Sequence, residues 1–240
     1  MKSQLCFLMV FVLLIAAAFL IGVGEGGINV MESSTVGPVF VVDPGHGGED
    51  GGAVSLDGLK ESELNLKICL RTDTLLGLFG YPCILTRDGE VLEYPTDANT
   101  VRRRKQTDLE RRVKLTESVY NAVLLSVHQN KYPSAGPKGA QVLYKDEPES
   151  TRFAELTQIM LIAGLGNTVR APVIVPDSIY LMRKVECPAI LVECGFLSNP
   201  EELSLLRSES YQTRLALCLA CACAEYANER EKENGQGSQG

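Results

Sequence analysis

Five short apolar runs punctuate the chain, at residues 38–43, 83–86, 122–127, 139–144 and 188–193. Between them, near 61–79, 107–121, 149–164 and 200–227, apolar residues recur at three- and four-residue intervals. Short unbroken runs fit strands buried on both faces, and the longer intervals fit helices with one apolar stripe. In the first helical stretch the stripe is Leu64, Leu66, Ile68, Leu70, Leu75 and Leu78. Strands alternating with helices predict an α/β fold: a single domain with a twisted, mostly parallel mixed sheet flanked by helices on both faces. About two hundred residues carry this pattern, which suits one domain rather than two.

The ends follow a different pattern. From Leu5 to about Val23 the chain is apolar, with Lys2 as the only charge before it, and the length is about that needed to span a bilayer. Residues 1–25 therefore read as an N-terminal membrane anchor or signal peptide. The length favours an anchor, while Ala16-Ala17-Ala18 leaves cleavage open. Lys2 predicts a cytoplasmic N-terminus, with the remainder outside the membrane. Residues 26–37 are Gly/Ser-rich and aperiodic, as in a linker, and lead into a folded domain over 38–229. The charged, Gly/Gln-rich tail 230–240 reads as disordered.

A formal net charge of −7 argues against a nucleic-acid partner, despite Arg102-Arg103-Arg104-Lys105 and Arg111-Arg112. Those cations read as a solvated helix face balanced by Asp108, Glu110 and Glu117; contact with an anionic polymer or a lipid surface is the alternative. The eight cysteines do not form a disulfide framework. Cys218, Cys221 and Cys223 lie in an Ala/Leu-rich helix and read as packing residues.

Candidate chemistry begins with the two histidines, the only ones in the chain. His46 and His128 each follow an apolar run, at strand ends where ligands collect in α/β sheets, and so predict one shared metal site. Two imidazoles are an incomplete shell for catalytic zinc, so a third ligand is needed. Glu61 opens a helix after the Gly-rich loop that contains His46, but Glu63 competes with it and spacing does not separate the two. Glu193, at the end of a buried strand, is either functional or salt-bridged. Cys194 lacks a spare histidine to activate it as a nucleophile.

Five segments in order, Val42–Gly48, Leu59–Leu66, Leu85–Arg87, Leu125–Asn130 and Leu191–Pro200, resemble the zinc-dependent (type 3) N-acetylmuramoyl-L-alanine amidases of bacterial cell walls. Within that family the chain looks most like the spore-cortex, germination-specific branch. The resemblance implies Zn2+ bound by His46, Glu61 and His128, with Glu193 as the general base. It also implies hydrolysis of the amide between the lactyl group of muramic acid and the stem L-alanine, in cortex maturation that yields muramic lactam. The partners implied are peptidoglycan, the cytoplasmic membrane through the N-terminal segment, and an activating protein. The place of action is extracytoplasmic, anchored or secreted to the wall, the forespore intermembrane space included. Arg87 matches a family position and reads as a supporting residue. Gln129 departs from the alanine of many members, and one helical pattern between Lys145 and Val173 leaves no internal blocking helix. The alternatives are another zinc hydrolase, such as a peptidase or deacetylase, and a non-catalytic peptidoglycan-binding protein.

Overall fold

Successive residues of a strand point to opposite sides of a sheet, and here both sides are apolar. Phe40, Val42, Leu125 and Ile190 enter one core, while Val41, Leu124 and Leu191 enter another. The computed structural model describes residues 37–167 and 169–237, so the predicted anchor or signal peptide (1–25) and all of the linker (26–37) except Gly37 lie outside the described residues. The strands are β1 (Val39–Pro44), β2 (Cys83–Leu85), β3 (Ala122–Asn130), β4 (Gln141–Tyr144), β5 (Val173–Ile174) and β6 (Ala189–Phe196). The helices are α1 (Glu61–Phe79), α2 (Val101–Glu117), α3 (Pro148–Leu165), α4 (Tyr180–Lys184), α5 (Pro200–Arg207) and α6 (Glu209–Gly237).

The six strands form one sheet in the order β2-β1-β3-β6-β4-β5. All neighbours are parallel except β4 and β6, so the sheet is mixed and mostly parallel, as the alternating pattern predicts. Helices α1, α3 and α6 cover one face through Leu64, Ile68, Phe153, Leu161, Leu219 and Tyr226. Leu181 and Met182 of α4, with Val113 of α2 against them, cover the other. Cys218 and Cys223 pack in the first core, and all seven cysteines among the described residues are free thiols.

Several boundaries differ from the sequence reading, each for a local reason. Helix α2 begins at Val101, ahead of the predicted 107, because Thr100 caps it: its side chain accepts from Arg103 N at 3.2 Å. The predicted helix 200–227 is two helices, since Ser208 takes an extended conformation (ψ 125°). Gln212 Nε2 closes the break by donating to Leu206 O at 2.8 Å. Strand β5 and helix α4 are too short for any periodicity to reveal. The predicted disordered tail, 230–240, instead continues α6 as far as Gly237. Arg152 of α3 holds that extension through Glu229 (2.6 Å) and Glu233 (2.7 Å). Among the described residues, no helix is long and apolar enough to cross a membrane.

Candidate active site

The parallel strands β1, β3 and β6 end on the same rim of the sheet, where their last residues stop packing and face a cavity. Register places Asp43 beside Ser126 and His128 beside Glu193. Two residues past β1 lies His46, with a left-handed backbone (φ 60°) that a non-glycine residue adopts only when its surroundings enforce it. Two buried guanidiniums do so. Arg87 donates to Pro44 O (2.9 Å), Gly45 O (3.2 Å) and Ser62 O (2.9 Å), stitching the loop to the first turn of α1. Arg112 of α2 donates to Pro44 O at 2.7 Å and to His46 O, and pairs with Asp43 (2.7 Å) and Asp108 (2.8 Å). Arg112 is thus no part of a solvated helix face, as the basic stretch suggests; at 3% exposure it is core.

Glu61 is the first residue of α1 and is buried between the two histidines. Its Oε1 lies 2.9 Å from His128 Nδ1 and 3.4 Å from His46 Nε2. Candidate ligand atoms of His46, Glu61 and His128 all fall within 4.8 Å of one another, a spacing a single metal ion can bridge. Glu63, the competitor left open by spacing, is not in this group. The Glu61 carboxylate is fixed by Ala53 N on Oε2 (2.8 Å) and by Gln129 N on Oε1 (3.0 Å). Asn65, one turn further along α1, bonds Glu61 Oε1 (3.4 Å), donates to Gly45 O (3.0 Å) and accepts from Gln129 Nε2 (3.1 Å). Asp50 takes the other His46 nitrogen, with Oδ2 3.0 Å from Nδ1, which leaves Nε2 facing Glu61. Lys105 Nζ backs Asp50 at 2.8 Å.

The field at this point calls for a cation. Burial disfavours a charged His46, yet the hydrogen bonds it donates to the Asp50 and Glu61 carboxylates raise it to about 9. Burial likewise works against ionised Glu61, but the two histidines hold its carboxyl well below the usual range. Two imidazoles and a carboxylate are the donor set of a catalytic zinc site, and carboxylates that stabilise an imidazolium also suit a divalent ion. The residues present therefore fit zinc.

Glu193 lines the same cavity, of about 350 Å³, which is also lined by Leu109, Ile179, Tyr180 and Met182. Burial pushes its carboxyl up to about 7. Its Oε2 is buried with no hydrogen-bond partner among the described residues, so of the two readings of this residue the salt bridge is not found. Cys194, next in the strand, is fully buried, which raises its thiol and leaves it inert.

Residues 40–224 match the family model of N-acetylmuramoyl-L-alanine amidase (Amidase_3). The chain belongs to this amidase family. It is 36% identical over 195 residues to the germination-specific N-acetylmuramoyl-L-alanine amidase of Bacillus subtilis, covering 81% of each chain. Against LytC, an N-acetylmuramoyl-L-alanine amidase of the same organism, identity is 29% over 82% of this chain and 37% of the relative. The fold is similar to that of the Clostridioides difficile CwlD amidase solved with the GerS lipoprotein: TM-score 0.75 and 31% identity over 79% of this chain and 98% of that one. In this amidase the fold and all four residues singled out by sequence converge on one cavity. Sequence reasoning gave no role to Asp50 or Asn65 and placed Arg112 on a solvated helix face. Asp50 lies four residues after His46 and Asn65 four after Glu61, a spacing that could have signalled both; nothing local marks Arg112.

Proposed function

We propose that this amidase is zinc-dependent, with His46, Glu61 and His128 as ligands and Glu193 as general base, and that it hydrolyses the amide joining the muramic-acid lactyl group to the stem L-alanine. One observation carries the base assignment: the buried, unpartnered Oε2 of Glu193 on the cavity wall, in register with His128. A structural carboxylate is paired when buried, whereas one left open is available to a proton in transit. Zinc held by the triad supplies Lewis-acid polarisation of the scissile carbonyl and activation of water. Glu193 takes the proton from the attacking water and delivers it to the departing alanine nitrogen. Ala53, Gln129 and Asn65 keep the Glu61 carboxylate from rotating, and Asp50 fixes the His46 ring.

The similarity to a germination-specific relative supports a role in spore cortex maturation, in which stem removal prepares muramic acid for lactam formation. The lipoprotein bound to the similar C. difficile amidase supports an activating partner protein. Residues 1–25 would carry the domain across the cytoplasmic membrane, as an anchor or a removed signal, towards its wall substrate.

The test pairs zinc content with release of L-alanine amino termini from purified peptidoglycan. Wild type should hold one zinc per chain and release termini; Glu193→Gln should keep the zinc and release none. Loss of zinc together with activity in Glu193→Gln would make Glu193 a ligand or a structural residue. Release of acetate or of internal peptide amines would instead indicate a deacetylase or peptidase.

A further inference from the structure

The cavity at the triad does not end at α2. A second hollow of about 260 Å³ adjoins it and is lined by Arg102, Lys105, Gln106, Leu109 and Tyr180. Lys105, Leu109 and Tyr180 belong to both, so the two make one groove between α2 and α4. Along it the chemistry changes. Near the triad the acids are already engaged: Asp43 and Asp108 with Arg112, and Asp50 with His46 and Lys105. Further out Arg102 has no ion-pair partner among the described residues, and it stands one helical turn from Lys105, on the same face of α2. The Lys105 ammonium has three donors, of which Asp50 takes one. The outer groove therefore offers two cations over an apolar and aromatic floor, a seat for a carboxylate on a peptide.

We infer that Arg102 and Lys105 form a subsite for a carboxylate of the stem peptide, positioned while the lactyl–alanine amide lies at the triad. The inference rests on the amidase reading of the cavity. The residue after the stem alanine is acidic and joined through its side chain, which leaves its main-chain carboxylate free. An extended chain advances about 3.3–3.6 Å per residue, so this carboxylate lies one to two residue lengths from the scissile bond. Lys105 Nζ lies 2.8 Å from Asp50 Oδ2, which in turn lies 3.0 Å from His46 Nδ1, and Arg102 is one turn further along α2, so both cations flank the triad on the groove side. The cations of α2 thus set which stems are accepted, in addition to their place on a solvated helix.

The experiment compares the full chain, zinc-loaded, on purified peptidoglycan whose second-residue carboxylates are free and on the same polymer after their amidation. A partly exposed ion pair should give wild type a KM for the amidated polymer up to about fivefold higher. In Arg102→Gln and in Lys105→Gln, with zinc content checked in both, this ratio should fall towards one. Arg103→Gln, which removes a charge of the same helix outside the groove, should keep the wild-type ratio. Equal KM values for the two polymers in wild type would overturn the subsite. So would an Arg103→Gln variant that loses the ratio as fully as Arg102→Gln, since net charge alone would then explain it. If wild type released termini from neither polymer, the amidase reading would fail instead. Binding of both polymers by Glu193→Gln, measured without turnover, then reads the carboxylate preference on its own.

Discussion

Replacing Asp43 by Asn keeps the shape of a fully buried side chain and removes its charge. Asp43 accepts from Thr86 Oγ1 (2.5 Å), Ser126 Oγ (2.6 Å) and Arg112 Nη1 (2.7 Å). Burial would raise its carboxyl, but the Arg112 guanidinium and the two hydroxyls overcome that and hold it at about 2, against an ordinary value of 3.8. A depression of roughly 1.8 units corresponds to ~2 kcal/mol of stability from ionised Asp43 at neutral pH. Because the folded-state value is the lower one, that stability is complete above pH ~4 and fades as pH falls towards ~2, with about half gone at pH 3. Loss of one partner of a buried pair commonly costs about 3–5 kcal/mol, and Asp108 and two carbonyls still hold Arg112. Asp43→Asn should therefore destabilise by about 2–4 kcal/mol at pH 7, read from urea unfolding midpoints. The gap to wild type should narrow by about 1 kcal/mol at pH 3. A neutral-pH loss under about 0.5 kcal/mol, or a gap the same at pH 6 and pH 3, would refute this account of the Asp43–Arg112 pair.

Asn65→Ala leaves Glu61 without one of its restraints, and zinc affinity should drop about tenfold to a hundredfold in competition with a chromophoric chelator; unchanged affinity would show that Ala53 and Gln129 suffice. Gly45→Ala places a methyl group onto the His128 ring, so the folded protein should lose zinc and activity together. Full zinc stoichiometry in that variant, with a native circular dichroism spectrum, would contradict the tight approach of the two segments.

Legibility in the sequence followed the length scale of each interaction. The central strands are apolar on both sides, so β1, β3 and β6 appear as runs, and both histidines mark their ends. Glu193 reads as anomalous because a carboxylate in such a strand demands an explanation, and in the fold it lines the cavity. The strand direction of β4 left no trace, since Gln141–Tyr144 reads the same in either orientation. Arg112 was misplaced among solvated cations because, Asp108 apart, its partners Asp43, Pro44 O and His46 O are more than sixty residues away. The tail was misjudged likewise: composition makes Glu229 and Glu233 solvent-seeking, and only the fold brings Arg152 to them.

The strand order has a consequence for how the protein is made. β3 and β4 follow one another along the chain, yet in the sheet they are separated by β6, the last strand to be synthesised. A growing chain can emerge with His46, Glu61 and His128 all present before residue 193 exists. The sheet closes only when β6 inserts between two strands made earlier, a long-range pairing that local contacts cannot anticipate. The cavity is therefore completed only at the end of synthesis: a chain truncated between β3 and β6 carries His46, Glu61 and His128 but lacks Glu193, the fourth candidate residue of the site.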